Sequence, residues 1–349
     1  MTINQPPLQQ TPVGALRFNT DSSKLEYYDG NQWVNVTSDS PQAQTGGTRG
    51  LILGGYEQPE GGVVNTIQYI NIATTGNAQD FGDITGGIGY GNGTFSNRVR
   101  GIYLDTSPHN QYINLTSTGN TVSLGSAATN AARSGGANST RGLYSYDNQT
   151  NTIEYFTIAS AAVGVDFGDM ATTYGNRGCM GASPTRWVAA GGANSPWGTL
   201  YTAIEYVNFM SQGNSADFGD LSVGSAGARG TGGNAVRGVY AGGYLGPGNG
   251  NSNRIEYITV ATLGNALDFG DLSAVSENPA IITSSTRAVF AGGNSGLPSP
   301  NPNVLHTIDY HEIMTTGNTL DFGDFTNSDG IGNAGPMSTG HGGLGKCQI

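Results

Sequence analysis

Along most of this chain, apolar residues come either in short unbroken runs or in strict alternation with polar ones. These are the signatures of strands buried on both faces and on one face, respectively. No window carries the 3.6-residue period of an amphipathic helix. The unbroken runs each follow an arginine: Arg49-Gly-Leu-Ile-Leu-Gly-Gly55, Arg100-Gly-Ile-Tyr-Leu104, Arg141-Gly-Leu-Tyr-Ser145, Arg186-Trp-Val-Ala-Ala-Gly-Gly192, Arg237-Gly-Val-Tyr-Ala-Gly-Gly243 and Arg287-Ala-Val-Phe-Ala-Gly-Gly293. Four end in a glycine pair, and glycine enters positive-φ backbone without steric cost. Each run is therefore expected to be an inner strand stopped by a tight turn. The alternating runs, such as Thr152-Ile-Glu-Tyr-Phe-Thr-Ile158 and Arg254-Ile-Glu-Tyr-Ile-Thr-Val260, predict an amphipathic second strand.

A third marker follows each alternating run. Asp-Phe-Gly-Asp begins at Asp80, Asp166, Asp217, Asp268 and Asp321, and a worn copy, Ser123-Leu-Gly-Ser126, fills the widest gap; the spacings are 43, 43, 51, 51 and 53. The preceding Thr-Gly-Asn supplies turn chemistry, and the Phe is expected to anchor neighbouring sheets. Three ordered markers repeated six times at this period, all β and Gly-rich, predict an all-β fold: a six-bladed β-propeller with about four short strands per blade. Gly335-Pro-Met-Ser-Thr-Gly340 matches the segment before the arginine in other units, such as Gly181-Ala-Ser-Pro-Thr185. It is expected to close the ring on the first unit or to pair with residues 40–48. The predicted organisation is an extended arm over 1–12, a β-meander over 13–36, a linker over 37–48 and the propeller over 49–349. Paired glycines ending one strand and an aromatic on a later one resemble kelch-type blades over residues 46–349, about 87% of the chain. The kelch spacing of Tyr and Trp after the double glycine is not reproduced, so no kelch partner is carried over.

Composition narrows the function classes. The 349 residues include 57 Gly, only 11% are charged, and the formal net charge is −11. An acidic chain without a Lys/Arg stripe is unsuited to nucleic-acid phosphates. No window approaches 18 continuous apolar residues, so no membrane insertion is expected. The N-terminus has neither the positive start nor the apolar core of a signal peptide. Cys179 and Cys347 lie far apart and have no partner at metal spacing, and are read as free thiols.

Residues 13–36 read as three strands joined by turns at Asp21-Ser-Ser and Asp29-Gly30-Asn31, the second a strong hairpin signal. Gly14-Ala-Leu-Arg-Phe-Asn-Thr20, Leu25-Glu-Tyr-Tyr-Asp-Gly30 and Trp33 resemble a module common in bacteriophage tail-fibre and other virion proteins. The match covers about 24 residues. The Gly-Gly-Tyr and Asp-Phe-Gly-Asp repeats also resemble those of structural proteins in marine and cyanobacterial phages. The resemblance implies a virion component, made in a bacterial host cytoplasm and anchored to other virion proteins or to sister subunits, hence a homo-oligomer. A lone meander of this size needs a partner surface.

Catalytic chemistry is not expected, nor is a cofactor or a metal. Asp-Phe-Gly in a kinase occurs once, with a catalytic loop and a Lys-bearing strand that this chain lacks. The glycine-rich strings do not end in the Gly-Lys-Ser/Thr of a phosphate loop. His109, His306, His311 and His341 are scattered and read as surface or loop residues. The paired aspartates lack the dense spacing of a calcium loop and read as turn caps. Loops after the double glycines vary while the strands do not, and variable loops on a rigid scaffold commonly carry binding. Tyr56, Trp197 and Tyr244 in these loops are the candidate contacts, placed to stack on sugar rings of a host surface or to meet a host protein. The preferred function is a non-enzymatic virion attachment or decoration protein. The alternatives are a soluble kelch-like interaction module and a glycan-active propeller enzyme.

Overall fold

A computed structural model describes residues 11–20, 24–35, 48–57, 62–85, 93–104, 110–125, 132–146, 150–160, 163–173, 175, 178–194, 198–227, 229–230, 232–296, 304–326 and 330–339. The chain divides into two compact units, 1–44 and 45–349. No helix occurs among the described residues.

The first unit is an antiparallel meander of β1 (Leu16–Asn19), β2 (Lys24–Tyr28) and β3 (Trp33–Asn35). Asp29 Oδ1 accepts the amides of Asn31 and Gln32, both at 2.8 Å, and these bonds hold its carboxyl below the usual carboxylate range. Gly30 sits at φ 102°, as the tight turn requires. One face is packed by polar and aromatic groups. The Arg17 guanidinium lies 4.2 Å over the Trp33 ring, and its Nε donates to Glu26 Oε2 at 2.7 Å. The Asp21-Ser-Ser turn, residues 1–10 of the arm and residues 37–47 of the linker lie outside the described residues.

The second unit continues with β4 (Arg49–Glu57), β5 (Gly62–Asn71), β6 (Gln79–Asp83), β7 (Thr94–Ser96), β8 (Arg100–Tyr103), β9 (Asn110–Asn114), β10 (Val122–Gly125), β11 (Ala132–Ala137), β12 (Arg141–Tyr146), β13 (Thr152–Thr157), β14 (Val165–Asp169), β15 (Gly178–Ala182), β16 (Arg186–Ala190), β17 (Ala203–Asn208) and β18 (Ala216–Asp220). It ends with β19 (Arg229–Gly230), β20 (Arg237–Ala241), β21 (Arg254–Thr259), β22 (Leu267–Asp271), β23 (Ala280–Thr283), β24 (Arg287–Ala291), β25 (Thr307–Glu312), β26 (Leu320–Asp324) and β27 (Gly335–Ser338). The strands form successive antiparallel sheets in a propeller-like order. The first is β27-β4-β5-β6, the second β7 to β10, the third β11 to β14, the fourth β15 to β18, the fifth β20 to β22 and the sixth β23 to β26. Gly335–Ser338 pairs antiparallel with Leu53–Gly50, so the last strand joins the first sheet.

The strand roles shift by one from the sequence reading. Strands β7, β11, β15, β19, β23 and β27 touch one another in that order, and β27 touches β7, so the segments before the arginines are innermost. The arginine runs come second, the alternating runs third, and Asp-Phe-Gly-Asp is itself the outer strand. The innermost segments escaped detection because converging strands leave room for small side chains, and Thr-Phe-Ser, Gly-Cys-Met-Gly-Ala and Gly-Pro-Met-Ser carry no apolar period. In the fifth repeat the corresponding described strand is β19, which pairs parallel with β23 of the sixth sheet.

Six apolar clusters lie between consecutive sheets. Phe81 packs with Ile113 and Leu115 of the second sheet, Phe167 with Val207 and Phe209 of the fourth, Phe218 with Ile258 of the fifth, Phe269 with Phe290 of the sixth, and Phe322 with Ile70 and Ile72 of the first. The Phe is thus an inter-sheet anchor, as the sequence reading expected. Between the second and third sheets, where Leu124 replaces it, Phe95 fills the cluster with Tyr144, Tyr146 and Phe156.

Polar bonds follow the same route. Each marker arginine reaches a carbonyl of the next sheet: Arg49 to Leu115, Arg100 to Ile158, Arg141 to Phe209, Arg186 to Val260, Arg237 to Ile313 and Arg287 to Ile72. The outer strands are laced as well. Gly317 N donates to Phe269 O at 2.7 Å, Asn318 Oδ1 accepts the Asp271 amide at 3.1 Å, and equivalent bonds link Gly76 to Phe322 and Asn77 to Asp324. Gly270 shows why this lacing needs glycine: at φ 148° a Cβ would lie 2.4 Å from Gly317 O.

Two sequence readings are corrected by burial. The first polar residue of the alternating strand does not face solvent, whereas the second, as at Asn208 and Thr259, does. Gln68, Gln111, Glu205, Glu256 and Asp309 are buried, and each accepts a backbone amide of the preceding sheet, as Glu256 does from Ser222 at 3.0 Å. His311 is not a surface residue either. It occupies the core position held by Ile258 in the fifth sheet, 4% exposed, its ring 4.0 Å from that of Phe269 and 5.1 Å from that of Phe290. Burial pushes its pKa down to about 4. His306 is exposed, and His109 and His341 lie outside the described residues.

Candidate functional site

The double glycines stand at corresponding places in four sheets of the second unit. In all four pairs the first glycine has φ of 55–69° and the second 100–114°. In the fourth, fifth and sixth sheets this turns the chain off the second strand and back toward the inner segment, whereas Gly54 and Gly55 form a bulge inside β4. The next residue then bridges that segment: Tyr56 to Gly332, Ala193 to Gly175, Tyr244 to Ala226 and Asn294 to Glu277. At Gly243 a Cβ would lie 2.2 Å from Ser225 Oγ, so a side chain there has no room. Three necks are closed by second bridges, Ala193 to Leu200, Tyr244 to Asn251 and Asn294 to Val304. The turns also tie sheet to sheet, since Gly192, Gly243 and Gly293 donate to Ser225, Ser276 and Ile331 of the next sheet at 2.8, 2.8 and 2.9 Å.

The loops come from the fourth, fifth, sixth and first sheets, which are neighbours. Asn251 Nδ2 donates to Asn294 O at 2.8 Å, joining the fifth and sixth, and an added Cβ on Gly246 would meet Leu200 of the fourth at 3.4 Å. The result is a row of neighbouring necks, each tied to an inner segment by a backbone bridge. Loop 245–250 is internally braced: Leu245 N donates to Gly250 O at 2.9 Å and Asn249 N to Gly246 O at 3.1 Å.

Tyr56 and Tyr244 occupy equivalent positions after the glycine pair, and both are half-buried with their backbones pinned. They stand in the first and fifth sheets, with the sixth between them, so they do not form a single stacking platform. Trp197 lies outside the described residues. The asparagines that couple the loops, Asn251 and Asn294, were not singled out from sequence; their signal was only position, beside or just beyond a double glycine.

The second and third sheets lack the glycine pair. Where the fifth sheet has Gly242, the third has Tyr146, whose hydroxyl donates to Glu154 Oε2 at 2.5 Å beside that of Tyr144 at 2.7 Å. Burial and the Glu154 carboxylate push the Tyr144 phenol far up. A phenol held protonated in this way is a donor and not a nucleophile. At Gly164 a Cβ would collide with the Tyr144 hydroxyl, so glycine is required to seat the cluster. The missing double glycine at two of six positions was its sequence signal.

The cavity lined by Phe95, Ser96, Thr283, Met337 and Ser338 has an accessible volume of about 10 Å³, room for no more than one water. Around it Ser96 Oγ donates to Ser338 O at 3.0 Å, and Ser338 Oγ to Thr283 O at 2.6 Å. Among the described residues no three His, Cys, Asp or Glu side chains converge as metal ligands would. Cys179 is a buried thiol whose sulfur lies 3.3 Å from Trp187 Nε1.

No family model matches the chain, and no curated protein matches it. Among solved structures, one described as that of YjhT is similar over 57% of this chain and 66% of its own, at 8% identity and a TM-score of 0.46. A likeness of this size carries no argument about activity or ligand.

Proposed function

We propose that residues 45–349 form a closed six-bladed propeller, and that the chain is a non-enzymatic virion protein presenting its double-glycine edge to a host-surface glycan or protein. The observation that carries this reading is the pairing of a self-locked base with a row of loops. Arginine and apolar contacts repeat between every pair of neighbouring sheets, the sixth to the first included. Four neighbouring sheets then lift hairpins from clamped necks. A scaffold that stays fixed while its loops change suits recognition. The virion assignment rests on the resemblance of residues 14–33 to phage fibre modules.

The test has two arms. Immunogold labelling of particles that carry the chain should mark the virion, and the antibody should block adsorption; unlabelled particles would remove the virion assignment. Recombinant chain should bind host cells, and replacing residues 245–250 by a Gly-Ser turn should abolish that binding without changing the melting temperature. Retained binding would place recognition elsewhere.

A further inference from the structure

The outer strands of five sheets are fastened to the next sheet by the same three bonds. At the boundary of the fifth and sixth, Gly317 N donates to Phe269 O, Thr319 N donates to Asp271 O at 2.9 Å, and Asn318 Oδ1 accepts the Asp271 amide. Equivalent sets join the first sheet to the second, the third to the fourth, the fourth to the fifth and the sixth to the first. The set requires glycine on both sides. The Asp-Phe-Gly-Asp glycines lie at φ 147–152°, and the facing Gly76, Gly119, Gly213, Gly264 and Gly317 lie at 149–152°.

At the boundary of the second and third sheets the residues for this set are missing from both sides. In the third sheet Ala162 and Val163 stand where the others have Gly and Asn. Alanine does not tolerate φ near 150°, and valine has no oxygen for the amide. Opposite them Ser123-Leu-Gly-Ser126 replaces Asp-Phe-Gly-Asp, and Gly125 has turned to φ 67°. The counterparts of Glu154 in the other five sheets each accept an amide of the preceding sheet, whereas Glu154 takes two phenols of its own sheet. Deeper in, the boundary is intact: Arg100 holds Ile158 O, and Phe95 packs with Tyr144 and Phe156. We infer that this boundary is a joint built into the fold, at which β10 and residues 158–164 part from each other while the arginine and aromatic contacts beneath them hold. Local opening follows the places with the fewest bonds across them. The joint releases one outer strand without unfolding the sheets around it. The inference is independent of what the loops of the second unit bind.

Native-state hydrogen exchange of the full chain, resolved by peptide mass spectrometry and corrected for intrinsic rates, tests it. With three bonds fewer, β10 should exchange at least about tenfold faster than the outer strands β6, β18, β22 and β26. The second strands β8 and β12 should stay as protected as β20 and β24. Ala162→Gly with Val163→Asn, which restores the glycine and the acceptor, should slow β10 toward the other outer strands. Gly264→Ala with Asn265→Val should in turn make β18 exchange fast; an added Cβ at Gly264 meets no atom within 4 Å, so the change acts through the backbone angle and the lost acceptor. A β10 that exchanges no faster than its counterparts overturns the inference. So does equal acceleration of β8 and β12, the mark of whole-sheet unfolding, or a β10 that ignores the restoring pair. Should the Gly264 variant fail to fold, the restoring pair alone decides.

Discussion

The fourth, fifth, sixth and first sheets carry a double glycine at the end of the arginine run, and the second and third do not. Yet the contacts between sheets are kept across both groups. Arg100 reaches Ile158 O at 3.2 Å across the boundary of the two irregular sheets, much as Arg237 reaches Ile313 O at 3.0 Å across a regular one. The arginine also lies over the tyrosine of its own third strand in both groups, 4.5 Å at Arg100 and Tyr112 and 4.3 Å at Arg237 and Tyr257. The loop-bearing edge and the inter-sheet boundaries are therefore separate constraints. Residues facing the next sheet are held by two partners at once, while the upper edge answers only to its own turn. Variation collects where the second constraint is absent.

The sharpest test of that separation is the inter-sheet anchor. Phe269 is 2% exposed in a cluster that joins the fifth and sixth sheets. Phe269→Ala should cost about 3–5 kcal/mol, the range for deleting a buried aromatic. At the equivalent place in the second sheet, Leu124 is only partly buried, and Phe95 supplies the filling, stacked 6.3 Å from Tyr144 and 5.6 Å from Phe156. Leu124→Ala should cost about 1 kcal/mol. Chemical denaturation of both variants checks the contrast; equal losses would mean that Phe95 does not replace the missing Phe.

His311 makes one regular boundary acid-sensitive. Its folded pKa of about 4 lies below the value of about 6.5 expected in the unfolded chain, because burial between Phe269 and Phe290 disfavours the charged ring. As pH falls below about 6.5 the unfolded state binds the proton first, so stability declines between pH 6.5 and 4 and the loss is complete below 4. The 2.5-unit gap corresponds to about 3 kcal/mol. His311→Ile, which restores the residue found at Ile258, should remove that slope from denaturation curves measured across this range.

The arginine clasp comes next in size. Arg287→Ala gives up a bond to Ile72 O at 3.0 Å and the stack over Tyr310 at 4.3 Å, and should cost about 2 kcal/mol. Arg100→Ala should cost about the same despite the irregular sheets on either side. A negligible loss at Arg100, read from the same denaturation assay, would show that the irregular boundary is held by its aromatics alone.

The repeat, the double glycines and the link of Gly335–Ser338 to the first sheet were legible because each leaves a mark in residue type: a period, a φ requirement, a matching segment. The assignment of layers was not. The innermost strands are short and carry no apolar period, as Thr94-Phe-Ser96 shows, and Asp-Phe-Gly-Asp has the composition of a turn although it runs as an extended edge strand. Its glycine is chosen for the neighbouring sheet's approach, a cause that lies far away in sequence. Glu256 and Asp309 read as solvent-facing for the same reason, since their partners, the amides of Ser222 and Ser273, belong to the preceding sheet. Tyr56 and Tyr244 share the place after a glycine pair, which the repeat made visible, while the whole sheet that stands between them left no mark in the sequence.

The smallest expected effect bears on what replaced the glycines in the third sheet. Glu154 stands where Glu256 caps a neighbouring amide, yet its Oε2 takes two phenols of its own sheet. Tyr146→Phe keeps the ring, 5.7 Å from Tyr144, and removes one of those donors. If the phenols substitute for the inter-sheet cap, the loss should be about 1.5 kcal/mol, the low end for one bond to a charged group. It should also grow little when Tyr144→Phe is added, because a half-buried carboxylate stripped of both donors turns to water. A loss near 3 kcal/mol for Tyr146→Phe alone, measured by denaturation in a double-mutant cycle with Tyr144→Phe, would instead show the carboxylate sealed from solvent. The third sheet's upper edge would then be a second core and not a variable surface, and the separation between edge and boundary would fail at that sheet.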